Sequence, residues 1–77
     1  MQGGVMQSYA NRGGGSSVAA FGIGTTWIDV RFTDGRVYRY SYRSCGPAHC
    51  EQLKSLAIGG SGLNSYILRN VRLGYER

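Results

Sequence analysis

The chain has 77 residues, enough for one small domain that buries only about 60% of the surface its unfolded form exposes. Nine Lys and Arg against four Asp and Glu leave a net charge of +5, and eight of the nine cations are Arg. No apolar run approaches the roughly 18 residues of a membrane span, and two cysteines are too few for a disulfide scaffold.

Residues 1–16 contain five Gly and no apolar periodicity, which predicts a flexible N-terminal tail. They lack the basic-then-apolar order of a secretory signal, so the expectation is a cytoplasmic protein. Met6 is a second candidate start, and Arg12 gives the tail one charge to offer a polyanion. From Ser17 the texture changes, and residues 17–77 are expected to form the single domain. Val18-Ala19-Ala20-Phe21, closed by Gly22 and Gly24, reads as a first strand.

Residues 26–32 then alternate, with Ile28, Val30 and Phe32 on one side and Trp27, Asp29 and Arg31 on the other. Residues 36–43 alternate again: Tyr38, Tyr40 and Tyr42 against Val37, Arg39, Ser41 and Arg43. Thr33-Asp34-Gly35 between them is turn chemistry. A two-residue loop would split the apolar set across both faces. A three-residue loop with Gly35 left-handed instead pairs Val30 with Tyr38, Ile28 with Tyr40 and Asp29 with Arg39. The second register is therefore expected. It turns Ile28, Val30, Phe32, Tyr38 and Tyr40 inward, the two tyrosines as packing. Trp27, Asp29, Arg31, Val37, Arg39, Ser41 and Arg43 are left facing outward. An indole on a basic strand face is either a stacking surface or is covered by a helix or a second subunit.

Pro47 suits a first helical turn, Glu51 complements the early helix dipole, and Cys50, Leu53, Leu56, Ala57 and Ile58 carry helical spacing. A helix over 47–58 follows, stopped by Gly59-Gly60. Leu63, Tyr66, Ile67 and Val71 recur at helical spacing too, although Tyr66-Ile67-Leu68 also suits a strand; a short second helix is the expectation. Arg69 and Arg72 flank that stripe. The fold class is thus α+β: a small antiparallel sheet of about three strands with a central hairpin, packed on one or two short helices.

Cys45 and Cys50 are five positions apart, and one His leaves three ligands where structural zinc requires four. Cys50 therefore reads as core, Cys45 as a loop residue and His49 as an exposed residue of the first helical turn, with no metal or cofactor. The four carboxylates are scattered, and no acid–base pair suggests itself, so no enzyme is expected. Gly59-Gly60-Ser61-Gly62 lacks the spacing and Lys of a phosphate loop and reads as a helix stop and tight turn.

Together these segments resemble the KTSC domain, a small module also found at the C-terminus of some lysyl-tRNA synthetases. The likeness rests on Ser17-Val18-Ala19-Ala20-Phe21-Gly22, Val30-Arg31-Phe32 before Asp34-Gly35, and Val37-Tyr38-Arg39-Tyr40. Leu63-Asn64-Ser65-Tyr66-Ile67 and Tyr75-Glu76-Arg77 complete it. The segment before Pro47 is slightly longer than in that family, and the turn before Asn64 is shorter. The resemblance implies a β-hairpin-plus-helix module suspected of RNA binding, without established catalytic residues.

Arginine matches phosphate in a two-pronged way, and aromatics among arginines offer stacking surfaces for bases. The expected function is therefore non-catalytic binding of RNA or another single-stranded nucleic acid. Arg31, Arg39 and Arg43 would meet phosphates, Trp27 would stack a base, and Arg69 and Arg72 would extend the track. A symmetric homo-oligomer sequestering a small nucleotide signal, as viral counter-defence proteins do, is the first alternative. A protein-interaction module is the second; a membrane partner is not expected.

Overall fold

The computed structural model describes residues 6–12 and 14–76. The first five residues of the expected tail, Gly13 and the terminal Arg77 lie outside the described residues. Four strands form one antiparallel sheet in chain order: β1 (Gln7–Ser8), β2 (Val18–Ile23), β3 (Trp27–Phe32) and β4 (Val37–Ser41). Three helices follow, α1 (Tyr42–Cys45), α2 (Pro47–Gly59) and α3 (Leu63–Asn70). The architecture is α+β, with one strand more than the three expected. No helix among the described residues is long and apolar enough to cross a membrane.

The central hairpin has the expected register. Val30 lies opposite Tyr38, Ile28 opposite Tyr40 and Asp29 opposite Arg39. Gly35 takes φ 91°, a left-handed conformation that glycine reaches without steric cost, and closes the three-residue loop. Phe32 N–H donates to Arg36 O at 2.8 Å, the first rung of the ladder. The choice of register follows from burial: a slip by one residue would carry Ile28 and Val30, both 0% exposed, to the opposite face.

Ile28, Val30 and Tyr40 meet α2 through Cys50, Leu53 and Ala57, and α3 adds Leu63 and Ile67 to the same core. Phe32 and Tyr38 are half-buried against it. Their rings meet edge-on with centroids 5.6 Å apart. Helix α2 begins with Pro47 and ends at Gly60, which has φ 81° and donates its N–H to Leu56 O. The segment from Leu63 is a helix and not a strand.

Two expectations are corrected. Residues 7–12 are part of the fold and not a flexible tail: Gln7–Ser8 pairs with β2, and Tyr9 is 6% exposed within the core. Tyr9 hydroxyl accepts from Leu63 N–H at 3.2 Å. Arg12 N–H donates to Gly60 O at 2.7 Å. One buried tyrosine ring removes enough apolar surface from water to offset the ordering of a short segment. The second correction is that β4 stops at Ser41. Ser41 and Ser44 form a reciprocal capping box, each hydroxyl accepting from the other's backbone N–H, which starts α1 and takes Tyr42 and Arg43 off the strand.

Candidate nucleic-acid interface

Because side chains alternate along a strand, Trp27, Asp29 and Arg31 share the sheet face turned away from the helices. Cross-strand pairing adds Ala20, Val37 and Arg39, with Gly22 beside Asp29 and Ser41 beside Trp27. Ala20 and Gly22 carry no long side chain, and Ala20 is itself buried at 3% exposure. Val37 is 49% exposed.

Trp27 and Arg39 are joined. The Arg39 guanidinium carbon lies 4.0 Å from the indole centroid. Its Nε and Nη2 donate to Asp29 Oδ1 and Oδ2 at 2.7 and 3.0 Å, a two-pronged ion pair. That bonding to Asp29 raises the guanidinium pKa further above its ordinary value. Below the ring, the chain approaches so closely that a Cβ on Gly24 would collide with the indole. Trp27 is half-buried, with Arg39 over its ring and Gly24 against its edge. Neither Trp27 nor Arg39 stands free, as a bare stacking ring and a bare phosphate clamp would.

The C-terminal segment folds back along the outer edge of β4. Tyr75 bridges to Tyr40, and Glu76 N–H donates to Arg39 O. Glu76 thereby reaches the outward face, where Ser41 Oγ donates to its carboxylate. This second carboxylate near Arg39 carried no sequence signal, since its placement depends on a contact 35 residues distant. Arg43, expected on the outward strand face, sits instead on α1. There it lines an open groove of about 420 Å³ with Ser44, Leu73, Tyr75 and Glu76. Glu76 is common to groove and sheet face, so the two surfaces are continuous around β4.

The charges sort into two groups. Arg36, Arg39 and Lys54 pair with Asp34, Asp29 and Glu51. Among the described residues, Arg12, Arg31, Arg43, Arg69 and Arg72 have no carboxylate within ion-pairing distance. Arg12 Nε donates to Gly59 O at 3.0 Å, which ties it to the turn between α2 and α3. Arg69 and Arg72, at the end of α3 and just beyond it, are exposed between the equally exposed Leu68 and Leu73. Of the six expected binding residues, the fold brings Trp27, Arg31 and Arg39 onto one face and leads from there to Arg43. Arg69 and Arg72 belong to the helical layer.

The remaining polar clusters are structural. Cys50 is fully buried, and burial pushes both thiols up. Cys45 lies in α1 and not in a loop, and donates to Ser41 O. His49, expected to be exposed, is half-buried with Nδ1 2.6 Å from the Tyr66 hydroxyl, joining α2 to α3. No group of three metal-ligating side chains comes together among the described residues. Lys54 is only 9% exposed; its Nζ donates to Thr25 O and to Glu51, which also accepts from the Tyr42 hydroxyl. Both bonds hold the Glu51 carboxyl below its usual pKa, that to Lys54 first.

Comparison of the chain with protein-family models, with curated proteins and with solved structures finds no match.

Proposed function

We propose that the chain is a non-catalytic binder of phosphate-bearing polymers, RNA or another single-stranded nucleic acid. The strand would run over the outward sheet face and around β4. One observation carries the reading: among the described residues, the arginines without a carboxylate partner include Arg31 on the sheet face and Arg43 beside it. A guanidinium left unneutralised meets phosphate without first breaking an internal pair. The resemblance to KTSC domains, with their suspected RNA binding, supports the same reading. Arg69 and Arg72 extend the basic surface on the helical side, and free thiols suit the cytoplasm.

The test is titration of the full chain with RNA oligomers of unrelated sequence over a range of salt. Arg31→Ala and Arg43→Ala should each weaken binding to all sequences alike and flatten the salt dependence by about 0.7 in log–log slope. Absence of binding at low salt ends the proposal.

The groove beside Arg43 favours a second reading. At about 420 Å³ it has the size of a small-ligand site, with Arg43 for phosphate and Tyr75 as an aromatic wall. A symmetric oligomer sequestering a small nucleotide would use that groove. Nucleoside mono- and diphosphates would then raise the melting temperature, and Arg43→Ala would abolish the rise.

A further inference from the structure

We infer that the stacked Trp27–Arg39 pair, locked by Asp29, is a ready-made shelf for one unpaired nucleobase, and that the outer face of the Arg39 guanidinium is the surface the base lies on. The inference rests on the nucleic-acid reading above and deepens it, because it separates base recognition from phosphate recognition on the same sheet face.

Three observations converge. The guanidinium is supported from below by the indole at 4.0 Å, so one of its two planar faces is occupied. Its orientation is fixed sideways by the two bonds to Asp29. The Arg39 side chain keeps 45% of its surface exposed while Asp29 keeps 19%, so part of the guanidinium remains accessible to a ligand. A planar cation held between an aromatic floor and a carboxylate lateral to it has lost most of its rotamer freedom before any ligand arrives. Stacking a base on it therefore costs little further ordering. Bases stack on arginine planes as they do on aromatic rings, and every base offers a π-face.

The same geometry says what Arg39 does not do. Two of its donors are committed to Asp29, and the carboxylates of Asp29 and Glu76 lie close, so it is a poor first landing point for phosphate. That task falls to Arg31, two positions along β3 on the same face and free of carboxylates among the described residues. Val37, opposite Arg31 and half-exposed, adds apolar contact beside the shelf. A base inside a duplex is already stacked on both sides, so the shelf selects single strands.

Trp27 is the one tryptophan of the chain, so its fluorescence reports the shelf directly. The full chain is titrated with an oligouridylate of about 15 nucleotides, which spans a typical site for unstacked single strands. Parallel titrations use a duplex RNA of the same length and inorganic polyphosphate, which has charge and no bases. The expected result is binding of all three at low salt, with a change in Trp27 emission for oligouridylate alone. Arg39→Lys keeps the charge and removes the plane. It should weaken oligouridylate about tenfold, the loss of roughly one stacked base, while leaving polyphosphate unchanged. Asp29→Asn, which unlocks the guanidinium and removes a negative charge, should strengthen polyphosphate binding while lowering the ratio of oligouridylate to polyphosphate affinity.

If Arg39→Lys binds oligouridylate as tightly as the parent, the shelf is wrong while nucleic-acid binding stands. An equal gain for oligouridylate and polyphosphate in Asp29→Asn would show that Asp29 only competes with phosphate, and would also overturn it. Failure of the parent chain to bind any of the three probes removes the underlying functional reading instead. Both variants are read only after their melting temperatures match the parent, and Arg31→Ala, which should weaken all three probes, serves as the phosphate control.

Discussion

A Cβ built on Gly24 would collide with the Trp27 ring, far inside any real contact. The turn between β2 and β3 is thus shaped to the Trp27 ring, and the ring in turn supports Arg39. Gly24→Ala should expel the indole from its seat, because the new Cβ is fixed to the backbone and the ring must move to clear it. The expected cost is about 1–3 kcal/mol, the range for overpacking. Trp27 emission should shift to the red as the ring meets water. An unchanged spectrum and melting temperature would show that the seat is not tight. This pairing of Gly24 with Trp27 was invisible in the sequence, where Gly22 and Gly24 read only as strand punctuation. The opposition of Asp29 and Arg39, by contrast, was legible, because it follows from strand register alone.

At the scale of elements, the hairpin register and α2 were read correctly from their repeating pattern, while β1 and the end of β4, which depend on particular side-chain contacts, were not. The hairpin register and α2 follow from periodicity between two burial environments, and periodicity is local. Strand β1 has two residues and one anchoring tyrosine, too little to make a period, so its glycine-rich surroundings dominated the reading. The switch from β4 to α1 turned on Ser41, which read as a strand residue, and on Ser44 three positions on, each hydroxyl capping the other's backbone N–H. Tyr9 is more than a plug for the core. Its hydroxyl accepts from Leu63 N–H at the start of α3, a helix whose first turn has no side-chain cap of its own. Tyr9→Phe retains the ring and leaves that buried donor unpaired, so it should cost about 1–3 kcal/mol. Tyr9→Ala should cost more, about 3–5 kcal/mol, since the ring goes too. Urea denaturation of both variants checks the order, and equal losses would assign all of the effect to the ring.

Across the whole molecule, core and charge meet at Tyr40. It is 1% exposed, packed by α2 below and by the Tyr75 ring across the edge of the sheet. Burial is the main reason its hydroxyl is pushed up to about 12 from an ordinary 10.0, with its tyrosine neighbours adding to the shift. The unfolded chain therefore releases this proton at lower pH than the folded one. Stability from Tyr40 is complete below about pH 10 and is lost as pH rises towards 12. The half-buried Cys45 and the buried Cys50 thiols shift in the same direction from 9.0, so the decline begins somewhat earlier. Melting temperature should hence be flat from neutral pH to about 9 and fall steeply beyond it, in parallel with tyrosinate absorbance. Tyr40→Phe removes the largest of these groups. Whatever its stability at neutral pH, the variant should lose less on alkalinisation than the parent, by on the order of 2 kcal/mol. The comparison is of slopes against pH, so a change in packing does not disguise the result. Parallel slopes in the two proteins would mean that the Tyr40 hydroxyl titrates normally in the fold, and that alkaline unfolding is driven by other groups, the thiols among them.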